Sequence, residues 1–270
     1  MCQKINELSV NDSSKLLQAH IGISNITSHL TFEAKGNYPC LKGIDIQRYG
    51  IKKRERYLEA SVAEKYVSEH THNKLIAQEI IAHIEHPKPH ISIAAFWDEQ
   101  GRLFNDTCVE IRILGEGLEP LFMLAYIQSK FVAWYAYNFI YNRAIRTMHF
   151  INYYVTQIPI PEKTLHRQDL QQPFIELSRN ILDAKKANPN ADVSALESEI
   201  DHLVYRLYGL TDEEIAIVEE SVGSGADGSG KGLKTDHDKA DDGAKSSASK
   251  KTGHGKQPKP HLPPSLPGWD

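Results

Sequence analysis

Three groupings of residues in this chain have the types and spacing to do chemistry. Glu110-Ile111-Arg112 follows Asp98 and Asp106, the outline of a two-carboxylate metal site that could activate water for phosphodiester cleavage. Arginine stands where such sites place a lysine and cannot deprotonate, and strand alternation would put Glu110 and Arg112 on a solvent face. The histidines His70, His72, His83, His86 and His90 invite a zinc reading. No cysteine pair or carboxylate joins them at zinc-binding spacing, so no metal site is assigned. The third grouping is the stretch Arg143–Pro161, "RAIRTMHFINYYVTQIPIP", with two arginines, a histidine and aromatic residues but no acid. Arginine can hold guanine edges or phosphate at two points, and tyrosine or histidine can donate to phosphate or pack on sugar. That mixture suits a nucleic-acid surface, although a structural arginine cluster would use the same residues.

Other chemistry is missing from the sequence. There is no G-x-S-x-G, no P-loop, no HExxH and no strand followed by G-x-G-x-x-G, so no catalytic residue is assigned. The formal net charge of −4 argues against a uniformly basic nucleic-acid binder, but the charge is unevenly spread. Pro120–Pro161 holds no Asp or Glu, while Lys42–Arg56 sets six basic residues against Asp45 and Glu55. One cationic face on a near-neutral chain would follow, and its candidate DNA-binding residues are Arg48, Lys52, Lys53, Arg54, Arg56, Lys130, Arg143, Arg146 and His149. The three cysteines have no metal spacing and the start has no signal peptide, which gives an expectation of a reduced, cytoplasmic setting.

These residues need elements to position them. "CLKGIDIQRYGI" alternates like a half-buried strand. "KLIAQEIIAHIEHPKPH" repeats Ile76, Ile80 and Ile84 at helical spacing, yet its β-branched content and proline exit also suit a strand. "HISIAAFW", the turn "DEQG" and "RLF" predict a hairpin, and "TCVEIRIL" a strand. Pro120 opens an apolar run long enough to span a membrane, but Lys130 at its middle would be costly there, which predicts a buried helix instead. Eleven aromatic residues lie between Phe122 and Tyr154, and Phe122, Phe131, Trp134 and Phe139 are expected in the core. Downstream, Phe174, Leu177, Ile181 and Ala184 make one apolar stripe and Val193, Leu196, Ile200, Leu203 and Leu207 another, split by "NPNAD", which predicts two antiparallel helices. Ser194 with Glu197 has the form of a capping box, Gly209 of a stop, and "TDEE" at Thr211 of another cap. From Ser221 onward apolar residues are too few to offset ordering entropy, which predicts a disordered tail.

Taken together, "LKGIDIQRY", "RYL", "KLIAQEIIAHIEHPKPHI", "NDTCVEI", "YIQSKFVAWYAYNFIYNRAIRTMHF" and "YYVTQIPIP" resemble the C-terminal specificity domain of TaqI-like adenine-N6 DNA methyltransferases and single-chain type II restriction–modification enzymes. The resemblance runs over roughly residues 40 to 220, and "ALESEIDHLVYRLYGLTDEEIAIVE" is similar to the close of many such chains. Gln128 departs from the asparagine-serine-lysine helix start common in the family. The resemblance implies a target-recognition domain on duplex DNA beside a methyltransferase domain that binds S-adenosylmethionine and flips the adenine. The Asn-Pro-Pro-Tyr motif of that domain is not here: at Asn188, "NPNA" has Asn190 for the second proline and Ala191 for the aromatic. The resemblance also implies a strand for "KLIAQEI". Base-reading positions vary across such domains, so none is carried over. Arg143, Arg146, Thr147 and His149 match a recurrent "R-x-x-R-T-M-H-F" pattern that serves fold or phosphate contact.

The expectation is an α+β chain: a mixed-sheet target-recognition domain with a long buried helix over residues 1–165, a helical segment over 166–220 and a disordered tail over 221–270. It would recognise double-stranded DNA for an adenine-specific methyltransferase or restriction–modification system. The cofactor would sit on a missing or partner methyltransferase domain, and a methyltransferase or restriction subunit could dock on the C-terminal helices, with no membrane partner. The rival readings are a stand-alone metal-dependent nuclease, a protein-interaction module that does not bind DNA, and a gene fragment.

Overall fold

The apolar run after Pro120 is the keel of the structure, a computed structural model that describes residues 1–52, 55–144 and 147–222. In chain order, α1 (Cys2–Leu8) leads into β1 (Leu17–Ile21), β2 (Leu30–Thr31), β3 (Tyr38–Leu41), β4 (Ile46–Gln47), β5 (Gly50–Ile51) and β6 (Tyr57–Leu58). Two single-turn helices, α2 (Ala60–Ala63) and α3 (Val67–His70), precede β7 (Lys74–Gln78), β8 (Ile80–Ile84), β9 (His90–Ser92), β10 (Ala95–Asp98), β11 (Leu103–Phe104) and β12 (Cys108–Ile113). Then come α4 (Pro120–Ile127), α5 (Lys130–Tyr135), β13 (Met148–His149), α6 (Asn152–Val155), α7 (Gln168–Ala187), α8 (Ser194–Tyr208) and α9 (Asp212–Val222). The fold class is α+β. No described helix is long and apolar enough to cross a membrane.

The central sheet is antiparallel in the order β1-β12-β7-β10. Its inner strands are covered on both sides, which is why β7 reads as a near-continuous apolar run with no alternation. Leu75 and Ala77 join the large core with Val109, Ile111 and Phe122. Ile76, Phe96, Phe104 and Cys108 form a smaller core with Leu41 and Ile46. A second sheet runs β11-β3-β6-β2, with β11 parallel to β3, and a third runs β13-β8-β9.

Several sequence expectations need correction. The helical spacing of Ile76, Ile80 and Ile84 misleads: the chain turns at Glu79, whose N–H donates to the Thr107 carbonyl and whose carbonyl accepts from Phe150, so two strands meet there. A strand is what the family resemblance implied. "CLKGIDIQRYGI" is not one strand. It breaks at a single 3-10 turn, Gly43–Asp45, where the Asp45 carboxylate accepts the Lys42 amide, and continues as the β4–β5 hairpin. The predicted "DEQG" hairpin does not form either, because the Asp98 carboxylate takes the Gln100 and Arg102 amides and turns the chain away. Strand β10 then pairs with β7, and β11 with β3.

The long buried helix is a broken one. Gln128 turns inward to accept the Ala95 amide, and the Ser129 hydroxyl accepts from Val132 to start α5 afresh. A π-helical turn, Ala136–Ile140, follows, and Phe139 ends up 43% exposed rather than in the core. Helices α7 and α8 flank "NPNAD" and pack on each other and on α4. The Ser194–Glu197 capping box is absent; the Asp192 carboxylate accepts the Ser194 amide instead. Gly209 ends α8 at φ 56°, and Thr211 and Glu214 cap α9 reciprocally. The tail beyond Val222 lies outside the described residues.

Candidate nucleic-acid interface

The β13-β8-β9 sheet presents one face outward. Paired residues share a face, so the register that sets His149 against Ile80 and Ala82 against Ser92 places all four together. The outward alternation is legible in burial: Ala82 is exposed, Ile80 and Ile84 are half-buried, and Ile81 between them is buried. His149 stands on this face with half of its side chain exposed, and its Nδ1 lies 2.5 Å from Glu79 Oε1. A carboxylate only accepts, so Nδ1 carries the proton and Nε2 points free. The loop joining β8 to β9 carries exposed His86 and Lys88, the latter 3.5 Å from Glu220.

The segment entering β13 is held just as firmly. The π-helical turn ends in two residues with left-handed backbone, Asn142 at φ 51° and Arg143 at φ 55°, and the Arg143 amide donates to the Tyr137 carbonyl. Such conformations cost of order 1–3 kcal/mol each and tend to mark functional turns. The exposed Arg143 side chain donates through Nε to Asn138 Oδ1 at 2.8 Å, and Asn138 is itself pinned to the Trp134 carbonyl. The guanidinium is therefore aimed, with its terminal nitrogens left outward. On the far side of β13, Tyr153 is 62% exposed and stands edge-on to Tyr154. Tyr154 packs on Tyr141, whose hydroxyl donates to the His149 carbonyl. Arg143, His149 and Tyr153 are thus each buttressed by their neighbours, and the sequence from Arg143 to Tyr153 contains no acidic residue.

The other sequence candidates lie elsewhere. Arg48 is ion-paired to Glu197 on α8 at 2.7 Å and donates to the Ile93 carbonyl. Arg56 is buried against Asp45 at 3.1 Å. Lys130 reaches Glu219 at 2.6 Å and Asp201 at 3.8 Å. Glu197 holds Arg48, Asp45 holds Arg56, and Glu219 with Asp201 holds Lys130, so among the described residues these three cations are already paired within the chain. Lys52 is exposed after β5, and Lys53, Arg54 and Arg146 lie outside the described residues.

Sequence reasoning missed the side chains that do the positioning. Glu79 and Asn138 sat in the sequence as ordinary polar residues, and only the pairing of β13 with β8 brings Glu79 under His149. Glu110 was expected on a solvent face and is buried instead. Burial works to raise its pKa, but hydrogen bonds from Arg112 and His72 outweigh it and hold the carboxyl below its usual range. Asp98 is buried between Arg102 at 2.5 Å and Lys74 at 3.8 Å. Both carboxylates are thus neutralised by bases of the chain itself, which leaves little of a nuclease's open metal cage. The histidines separate as well: His70 sits edge-on to Phe104, His83 stacks on Tyr137, and His90 bonds the Lys88 carbonyl.

Residues 38–160 match the family described as the TaqI-like C-terminal specificity domain. That stretch, a little under half of the chain, is similar to the TaqI-like specificity-domain family. The specificity domain so defined contains every strand from β3 to β13, and Arg143, His149 and Tyr153 all lie within it. Among solved structures, the chain is similar to the HsdS subunit from Thermoanaerobacter tengcongensis, with 12% identity and a TM-score of 0.34 over 76% of this chain and 49% of that one. It is also similar to a chain from a structure of the type I R-M system, with 12% identity and a TM-score of 0.37 over 78% of this chain and 45% of that one. The chain therefore spans about half the length of the solved structures it matches. No curated protein matches it.

Proposed function

We propose that this chain is the DNA-recognition module of a restriction–modification system and reads a short sequence in duplex DNA through the β13-β8-β9 face and the Arg143–Tyr153 segment. The observation that carries the reading is the placement of three buttressed, outward-facing side chains, Arg143, His149 and Tyr153, inside a stretch that matches the TaqI-like specificity domain. Phosphate attraction sets affinity and salt dependence, and side chains on the sheet face select bases. Methyl transfer to adenine N6 would come from a separate methyltransferase domain or subunit holding S-adenosylmethionine. The polar outer side of α7, with Gln172, Glu176, Arg179 and Asp183 exposed, is the proposed seat of that subunit or of a restriction subunit.

The test is retention of a random duplex pool by the full chain across a salt series, with the retained DNA sequenced. An enriched short motif and a steep fall of affinity with salt support the reading. Changing Arg143 to Ala should flatten the logarithmic salt slope by about 0.9, the share of one phosphate contact, while Arg48→Ala leaves it unchanged. Salt-insensitive binding with no enriched motif would reject it.

A further inference from the structure

We infer that His149 is a base-reading residue that accepts a hydrogen bond from the exocyclic amino group of one adenine or cytosine in the target, and that Glu79 is the positioning residue that makes it an acceptor. The inference rests on the DNA-recognition reading above.

Three features carry it. The first is the tautomer. Glu79 lies at the turn between β7 and β8, is largely buried, and can offer His149 only lone pairs, so the imidazole proton is fixed on Nδ1. In the neutral ring Nε2 is then a bare acceptor, with no hydrogen-bond partner among the described residues. The second is the company His149 keeps. Ile80, Ala82, Ile84, Ser92 and the buried His90 share its face by register, a small and largely apolar surface with one hydroxyl and no lysine or arginine among these paired residues. Such a face suits contact with base edges, including a thymine methyl, better than contact with phosphate. The third is shape and rigidity. A β-ribbon is admitted by the major groove, where adenine N6 and cytosine N4 are the exocyclic amines on display. His149 is fixed at both its main chain, through the Tyr141 hydroxyl on its carbonyl and the ladder to Ile80, and its ring, through Glu79. A reader held in this way can discriminate because its geometry does not adapt to a wrong base.

The consequence is a division of bases by hydrogen-bond sense. An acceptor at Nε2 accepts from adenine and cytosine and meets only acceptors on guanine O6 and thymine O4. Replacing Glu79 by Gln offers an amide that can donate to Nδ1, which moves the ring proton to Nε2 and reverses the sense. The purine and pyrimidine sources of the amine are separated by which base analogue binding responds to.

The experiment uses the full chain. The retained motif is first obtained from the random pool. Each adenine in it is then replaced singly by purine, which lacks the 6-amino group, and each cytosine by 2-pyrimidinone, which lacks the 4-amino group. Wild-type chain should lose about tenfold in affinity at one position, and His149→Phe should be indifferent to the analogue there. Glu79→Gln should shift the preferred base at that same position toward guanine or thymine, which a merely structural role for Glu79 would not do. Where Glu79→Gln does not fold, the His149→Phe comparison decides alone. If wild type and a folded His149→Phe respond alike to every analogue, the inference is overturned. A uniform loss of affinity across all duplexes with a smaller salt slope would make His149 a phosphate contact and overturn it as well. If wild type retains no motif, the recognition reading itself fails, and this inference falls with it.

Discussion

Asp201 should make the stability of this chain depend on pH in an unusual direction. It lies on α8, nearly sealed, with one oxygen accepting the Lys130 amide at 2.8 Å and the other 3.8 Å from the Lys130 ammonium. Burial dominates and pushes its pKa up from 3.8 to about 7; the Lys130 amide and charge and Arg48 pull the other way, and Glu219 adds to the rise. The sign follows directly. Below about pH 4 both folded and unfolded chains hold the proton and the group contributes nothing. Between there and about pH 7 the unfolded chain has lost the proton while the folded chain keeps it, so ionisation draws the equilibrium toward unfolding. Above about pH 7 the full penalty stands: about three decades of proton affinity, or roughly 4 kcal/mol at ~1.4 kcal/mol per decade. Asp201→Asn keeps an acceptor for the Lys130 amide and removes the charge. Lys130 retains Glu219 at 2.6 Å, so no ammonium is stranded. Urea unfolding of both chains from about pH 5 to about pH 8 should show the variant's advantage widening by about 2–3 kcal/mol as pH rises. A gap that stays constant with pH, or a variant less stable than wild type at pH 8, would refute the reasoning.

Other perturbations have simpler expectations. Arg56→Ala strands the buried Asp45 carboxylate, and denaturant titration should find a loss of about 3–5 kcal/mol. Gly209→Ala forces a side chain into left-handed backbone at the end of α8 and should cost roughly 1 kcal/mol in the same assay. Ser129→Ala removes the hydroxyl that restarts the broken helix and bonds the Tyr126 carbonyl, lowering stability by about 1–2 kcal/mol in thermal or urea unfolding.

The parts of the fold legible in the sequence are those whose determinants are local. The stripes of α7 and α8, the stop at Gly209 and the Thr211–Glu214 cap each lie within a few turns of chain, and they appear where the residues put them. Ser194 failed as a cap because a nearer competitor, Asp192, takes its amide. Strand β7 was illegible because burial on both faces erases alternation, and the turn at Glu79 then makes two strands look like one helix. The candidate site was half legible. Arg143 and His149 stood out by type, but the residues that aim or occupy cations lie far off in sequence: Glu79 is 70 residues from His149, and Glu197 is 149 from Arg48. Charge counting along a chain cannot tell a free cation from one already answered by a distant carboxylate, which is how Arg48 and Lys130 entered the cationic face; Arg56 entered it although its partner, Asp45, lies in the same cluster.

Strand β1 lies at the border of the central sheet, where an outward row of amides could recruit a strand from another copy of the chain. The side-chain oxygen of Asn152 accepts the Ala19 amide at 2.8 Å, in the middle of that row, and α6 lies against the strand. A foreign strand would have to displace both before it could zip on. One asparagine at the start of the helix that carries Tyr153 therefore also covers the edge of the sheet at which strand addition would begin.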